Sequence, residues 1–225
     1  MYTPWGYANS MDHEHGEHQH EHHDMGSSNA MAVAATLHCL TGCAIGEILG
    51  LMIGTAIGLG NVATIALAVA LAFLFGYALS TLPLLRAGLG VGAALSVVLA
   101  ADTLSIATME VVDNAVMALI PGAMDAGLVN PVFWLSMMLA LTVAFFAAWP
   151  VNRYLMARGK GHALTHDYHG ATPTGARRYI PALGTSTLVA AITAFMIGGL
   201  VVSVADELES PTTETTGHAL GSHGQ

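Results

Sequence analysis

Charge is what this sequence has least of. Asp, Glu, Lys and Arg make up 9% of 225 residues, against 54% apolar ones, where a soluble domain carries about a quarter charged residues. The stretch 62–82 has none at all, and mean hydropathy is +0.59. Such a surface cannot face water, so the chain is expected to be a multi-pass protein of a cell membrane, with the lipid bilayer as its first partner. Only six residues are basic: Arg86, Arg153, Arg158, Lys160, Arg177 and Arg178. They form no stripe, which excludes nucleic acid as a partner. One Lys against five Arg is the usage of a GC-rich or salt-adapted prokaryote.

Other absences narrow the class. The N-terminus has no basic start of a secretory signal, so the first apolar run is expected to remain as a membrane helix. Met11, Met25 and Met31 are each admissible starts, and a start at Met31 would remove a His-rich tail. No nucleophile elbow, phosphate loop or HExxH occurs, so conventional hydrolase or nucleotide chemistry has no support and no organic cofactor is indicated. The only cysteines, Cys39 and Cys43, lie four apart on an expected helix, where a structural disulfide rarely fits.

What is present is apolar sequence in five stretches, near 31–59, 62–82, 88–120, 131–157 and 183–205. Each supplies the roughly 20 residues a spanning helix needs. The expected fold is an all-α, polytopic membrane helical bundle of about five transmembrane helices over 30–208, between disordered tails at 1–29 and 209–225. The basic residues all fall between the second and third or between the fourth and fifth helices, or at the end of the fourth. By the positive-inside rule that side is cytoplasmic and so is the N-terminus. The third stretch would run about 50 Å at 1.5 Å per residue, against roughly 30 Å of hydrocarbon. Pro121 and Gly122 should therefore interrupt it, and 115–130 is expected to fold back as an interfacial or re-entrant piece. In the fourth helix Trp149, Tyr154 and Arg153 suit an interface and Pro150 a kink.

The polar residues inside these stretches are the candidates for chemistry. Gly42, Gly46, Gly50, Gly54 and Gly58 repeat every four residues and predict a packing ridge at which another helix, expected to be the third, comes close. The next row, about 100° around, holds Cys39, Cys43 and Glu47. His38, Cys39, Cys43 and Glu47 are plausible donors to Cu(I) or Zn(II), and an intramembrane acid is a functional candidate by default. The third helix adds Asp102, Met109, Glu110, Asp113, Asn114 and Met117 within about 140° of arc. Along the membrane normal the expected order is His tail, cysteines, Glu47, Asp102, then Glu110 and Asp113. In the N-terminal tail His13, His15, His18, His20, His22 and His23 alternate with acids, a pattern that binds borderline divalent ions. His162, His166, His169 and Asp167 echo it weakly.

Three stretches resemble a family of small prokaryotic integral-membrane proteins catalogued as a domain of unknown function: HCLTGCAIGEILGLMIG at 38–54, EVVDNAVMALIPGAMDAG at 110–127 and FWLSMMLALTVAFFAAWPVNRYLMARGKGH at 133–162. The resemblance covers about 33–205. It implies a membrane helical bundle and no particular substrate.

The expected function is handling of a transition-metal cation such as copper or zinc: the tail captures it, His38, Cys39 and Cys43 receive it, and Glu47, Asp102, Glu110 and Asp113 supply later oxygens or exchange protons. Two other classes stay open. One is a thiol oxidoreductase using Cys39 and Cys43, with a quinone. The other is a non-catalytic assembly subunit whose glycine ridge binds a second copy or other membrane helices.

Overall fold

The computed structural model describes residues 17–158, 175–181 and 183–209, with side chains from residue 29 onward. The described residues form five α-helices and no strand: α1 Glu17–Ala56, α2 Asn61–Ala87, α3 Val91–Leu119, α4 Pro131–Ala157 and α5 Thr185–Glu209, with a 3-10 turn at Gly175–Tyr179. All five are long and apolar enough to cross a membrane, α1 over Asn29–Ala56. The fold is the all-α bundle that the apolar stretches imply. α1 reaches back to Glu17, into a segment expected to lack structure, where Glu17, Gln19 and Glu21 are favourable helix formers. His13 and His15, the side chains of His18, His20, His22 and His23, the loop with His162, His166, Asp167 and His169, and the tail from residue 210 lie outside the described residues.

Helix ends follow local chemistry. Gly58 has φ +70°, and Leu59 N–H donates to Gly54 O at 2.8 Å while Gly58 N–H donates to Thr55 O at 3.2 Å. That left-handed cap closes α1, so Gly58 terminates the helix and is not the last step of the ridge. The third stretch is not divided: α3 runs unbroken through nearly all of it. α3 ends at Leu119, and the turns through Gly122, at φ +79°, lead to α4. Residues 115–119 complete α3 and 120–130 are turns and bends, so the piece expected to fold back over 115–130 begins only at Ile120, where Pro121 has no N–H to continue the helix. Asn130 then caps α4, its side chain accepting from Val132 N at 2.9 Å, with Pro131 in the first turn.

α1 is the central helix: 61% of its most apolar window is buried, against 11% for α2 and 17% for α5, and it touches each of the other four. Its glycines face α2. A Cβ on Gly42 would lie 2.4 Å from Gly76 Cα, on Gly46 2.2 Å from Ala72 N, on Gly50 2.3 Å from Ala68 Cα, and on Gly54 2.6 Å from the Thr64 side chain. Thr64, Ala68, Ala72 and Gly76 are themselves a four-residue row of small residues, so two such rows mesh in antiparallel register across a short turn. The ridge was expected to receive the third helix, and this pairing with α2 corrects that.

α5 docks differently. A Cβ on Gly199 would meet Trp134 Cζ2 at 2.3 Å; the indole is pinned by its N–H to Leu128 O at 2.7 Å and packs edge-on with Phe195 at 5.8 Å between ring centroids. Gly199→Leu is expected to cost about 1–3 kcal/mol and to push α5 off α4. Spin labels at Thr142 and Val189, which line the same α4–α5 groove, should report a longer and broader distance distribution. An unchanged distribution would mean that the contact does not hold α5.

The bundle's two ends are tied by polar contacts. At one, Arg86 Nη1 donates to Ile180 O at 2.7 Å, joining the last turn of α2 to the segment before α5. At the other, Asn61 Nδ2 donates to Asp125 Oδ1 at 3.2 Å, joining the start of α2 to the α3–α4 turns. Arg86 and the Arg177–Arg178 turn therefore share one end of the bundle.

Candidate functional site

Two helices that run the same way can hold matching polar rows at matching depth. Cys39, Cys43 and Glu47 follow one another by single turns of α1, and α3 lies alongside in parallel with Asp102, Glu110 and Asp113. The rows meet rung by rung. Cys39 lies beside Asp102, with its Sγ 3.5 Å from Ser80 Oγ of α2. Cys43 lies beside Glu110. Glu47 faces Asp113, with Glu110 next to it. Counted from the start of each span at 1.5 Å per residue, Cys39 and Asp102 both lie about 15 Å in and Glu47 is about 27 Å in. Asp102 therefore stands level with the first thiol, not beyond Glu47, which corrects the expected order. The whole ladder is tilted toward the end that carries Asn61 and Asp125.

These groups are buried inside the bundle and not aimed at lipid: Glu47 is 8% exposed, Glu110 4% and Asp113 4%, and both thiols are free and buried. Glu47 and Asp113 meet carboxyl to carboxyl, so neither offers the other a hydrogen unless one carries a proton. Both oxygens of Glu47 and Oδ1 of Asp113 accept no hydrogen bond among the described residues, and Glu110 has the Cys43 thiol beside it as its one donor there. Leaving buried carboxyl oxygens without donors costs several kcal/mol unless a proton or a cation joins them, as an order of magnitude. A proton shared between facing carboxyls is enough to satisfy part of this demand, and a cation is the other group that would.

The donors are distributed, not gathered. Among the described residues no three His, Cys, Asp or Glu side chains form a group that could hold one metal ion. One turn of α1 separates successive rungs, whereas on α3 Asp102 and Glu110 are eight residues apart and Glu110 and Asp113 three, and each rung supplies two or three groups from opposite helices. His38 sits one residue before the ladder, on another face of α1, with Nδ1–H donating to Ala34 O at 2.8 Å.

Several residues that belong to this interior were not singled out from the sequence. Ser80 continues the small-residue row of α2 one turn beyond Gly76, a signal that was there to be read. Ser105 is fully buried on the Asp102 face of α3. Asn152 of α4 donates to Thr36 Oγ1 at 2.8 Å, and Thr36 donates to Ala32 O at 2.7 Å, which ties α4 to α1 about one turn before Cys39. Met137 of α4 was also missed. It lines a cavity of about 90 Å³ that opens at the Glu47–Asp113 rung, with Thr64, Met117 and Phe133 among its other walls. A larger groove of about 500 Å³ between α1, α4 and α5 is walled by residues such as Leu37, Leu141, Phe145 and Ile192, and no titratable group lines it.

Against known proteins, the family model described as "Domain of unknown function (DUF4396)" matches residues 28–161, a stretch that holds α1 from residue 28 onward, α2 to α4 and the whole ladder and leaves α5 outside. No curated protein and no solved structure matches the chain.

Proposed function

The chain belongs to this DUF4396 family of unknown function, and we propose that it passes a transition-metal cation, copper or zinc, along the ladder between α1 and α3. One observation carries the reading: buried carboxyl oxygens without donors, on Glu47 and Asp113, stacked with Glu110 and two buried thiols inside a membrane-spanning bundle. Rungs of two or three ligands suit passage better than storage, since an ion must bind well enough to enter and weakly enough to leave. By the positive-inside rule the end with Arg86 and the Arg177–Arg178 turn faces the cytoplasm, so the His-rich tail would meet the ion on that side, in a prokaryotic plasma membrane.

The other classes have less behind them. Four glycines of the ridge are filled by α2 of the same chain, which leaves no open ridge for an assembly partner. Cys39 and Cys43 are 0% and 1% exposed, a poor setting for exchange with a redox partner.

The test is flux into proteoliposomes loaded with a metal-sensing dye, using the full chain with the six tail histidines changed to Gln. Zn(II) or Cu(I) added outside should enter above the rate of empty vesicles. Cys43→Ala combined with Glu47→Gln should return it to that background. Flux unaffected by these changes, or absent in the parent, would sink the reading.

A further inference from the structure

The ladder's carboxylates do not discriminate among cations; the sulfur around them does. The cavity at the Glu47–Asp113 rung is walled by two carboxylates and by three methionines, Met117 of α3, Met124 of the α3–α4 turns and Met137 of α4. Met124 is 39% exposed, whereas Met117 and Met137 are buried, at 7% and 3% exposure, and belong to the same packed cluster as Cys39, Cys43 and Met109. Sulfur therefore accompanies the ladder from one end to the other: a thiol at each of the first two rungs, and thioethers at the third. Glu47 supplies the independent sign of a ligand, since its carboxylate lines the cavity, is more than nine-tenths buried, and has no donor to either oxygen among the described residues.

Hard cations such as Mg(II) and Ca(II) demand six or more oxygens, which this rung does not have. Zn(II) favours imidazole, thiolate and carboxylate, and a thioether adds little to it. Thioether and thiolate sulfur are the ligands that select Cu(I). We propose that the cavity between α1, α3 and α4 is a binding site for a soft monovalent cation of the Cu(I) class, with Met117 and Met137 as sulfur ligands and Glu47 with Asp113 balancing its charge. This rests on the cation-passage reading and narrows it, from copper or zinc to the soft monovalent ion. The site also explains why α4 belongs to the machinery: it brings Met137, which neither row of the ladder contains. A cavity of about 90 Å³ exceeds the 10–15 Å³ that one water needs, so it admits a partly hydrated ion that sheds its water onto sulfur.

Silver(I) is the probe, being soft, monovalent and stable in air. The full chain with its tail histidines changed to Gln is purified in detergent and titrated with Ag(I) and, separately, with Zn(II), each against a competing chelator. Met117→Leu with Met137→Leu keeps the volume of the core and removes only sulfur. The expected result is a fall in Ag(I) affinity of about tenfold or more, with Zn(II) affinity unchanged. Equal Ag(I) affinity in parent and variant would overturn the proposal and return both methionines to plain packing. A parent that binds Zn(II) but not Ag(I) would overturn it too and leave the passage reading standing; a parent that binds neither ion removes both. Because a core variant can fail to fold, X-ray absorption on the Ag(I)-loaded Cys39→Ser, Cys43→Ser chain supplies a second readout. Sulfur scatterers there can come only from methionine and support the site, whereas an all-oxygen shell contradicts it.

Discussion

Gly46→Leu should leave almost no correctly folded protein. A Cβ at this position would stand 2.2 Å from Ala72 N, 2.4 Å from Ala72 Cα and 2.4 Å from Leu71 C. All three are backbone atoms of a facing helix, so no rotamer change relieves the clash. The helices must separate, and the rows at Gly42–Gly76 and Gly50–Ala68 open with them. Overpacking in a closed core costs about 1–3 kcal/mol even where side chains can yield; here the loss should exceed that and consume much of a typical margin of about 5–15 kcal/mol. Size-exclusion profiles and thermal unfolding in detergent measure it. Gly60→Ala is the control, with nothing within 4 Å of its added Cβ and an extended backbone at φ −68°, and should behave as the parent. If Gly46→Leu also unfolds at the parent's temperature, the close approach of α1 and α2 does not hold the bundle together.

Neutralising the acids should do the opposite to stability. In the variant Glu47→Gln, Glu110→Gln, Asp113→Asn each side chain keeps its shape and gains N–H donors, so oxygens that now lack donors acquire them from their neighbours across the α1–α3 interface. The expected gain in the metal-free protein is about 1–3 kcal/mol, the scale of relieving an unsatisfied buried polar group, read as a higher unfolding temperature. Cation flux in the same variant should fall to the level of empty vesicles. That opposition marks groups kept for function at the expense of the fold. Lower stability in the variant would instead identify the three carboxyls as structural.

The sequence made the helices and their approximate bounds legible, because runs of apolar residues bounded by Gly60, Gly88–Gly90 and Pro131 leave lipid as the only solvent. The ridge was legible too, as a four-residue repeat. Its partner was not: a repeat of small residues says that something comes close, and α2 carries its own matching row at Thr64, Ala68, Ala72 and Gly76, visible only once the two rows are compared. Gly58 kept the repeat's spacing and served another purpose, since period alone does not distinguish a packing glycine from a helix cap. The rung partners depended on where α1 and α3 begin relative to one another. The first span starts two residues earlier and α3 three residues later than the apolar stretches imply, which together slide the two rows about 7 Å past one another and carry Asp102 from near Glu47's depth to that of Cys39. Met137 and Asn152 lay on a helix read as structural, because their importance comes from what faces them.

The meshing of α1 with α2 has a further consequence for assembly. Two helices joined by the short turn at Ile57–Gly60 can close on each other as soon as the second has left the insertion machinery, since they are neighbours in the chain and the loop-closure cost is small. That hairpin buries the glycines and leaves Cys39, Cys43 and Glu47 on a face that α2 does not fully cover. Until α3 arrives, the Glu47 carboxyl is turned to lipid or to water drawn in beside it, and Glu110 and Asp113 are in the same position until they find α1. Each helix thus carries a liability that only the other removes.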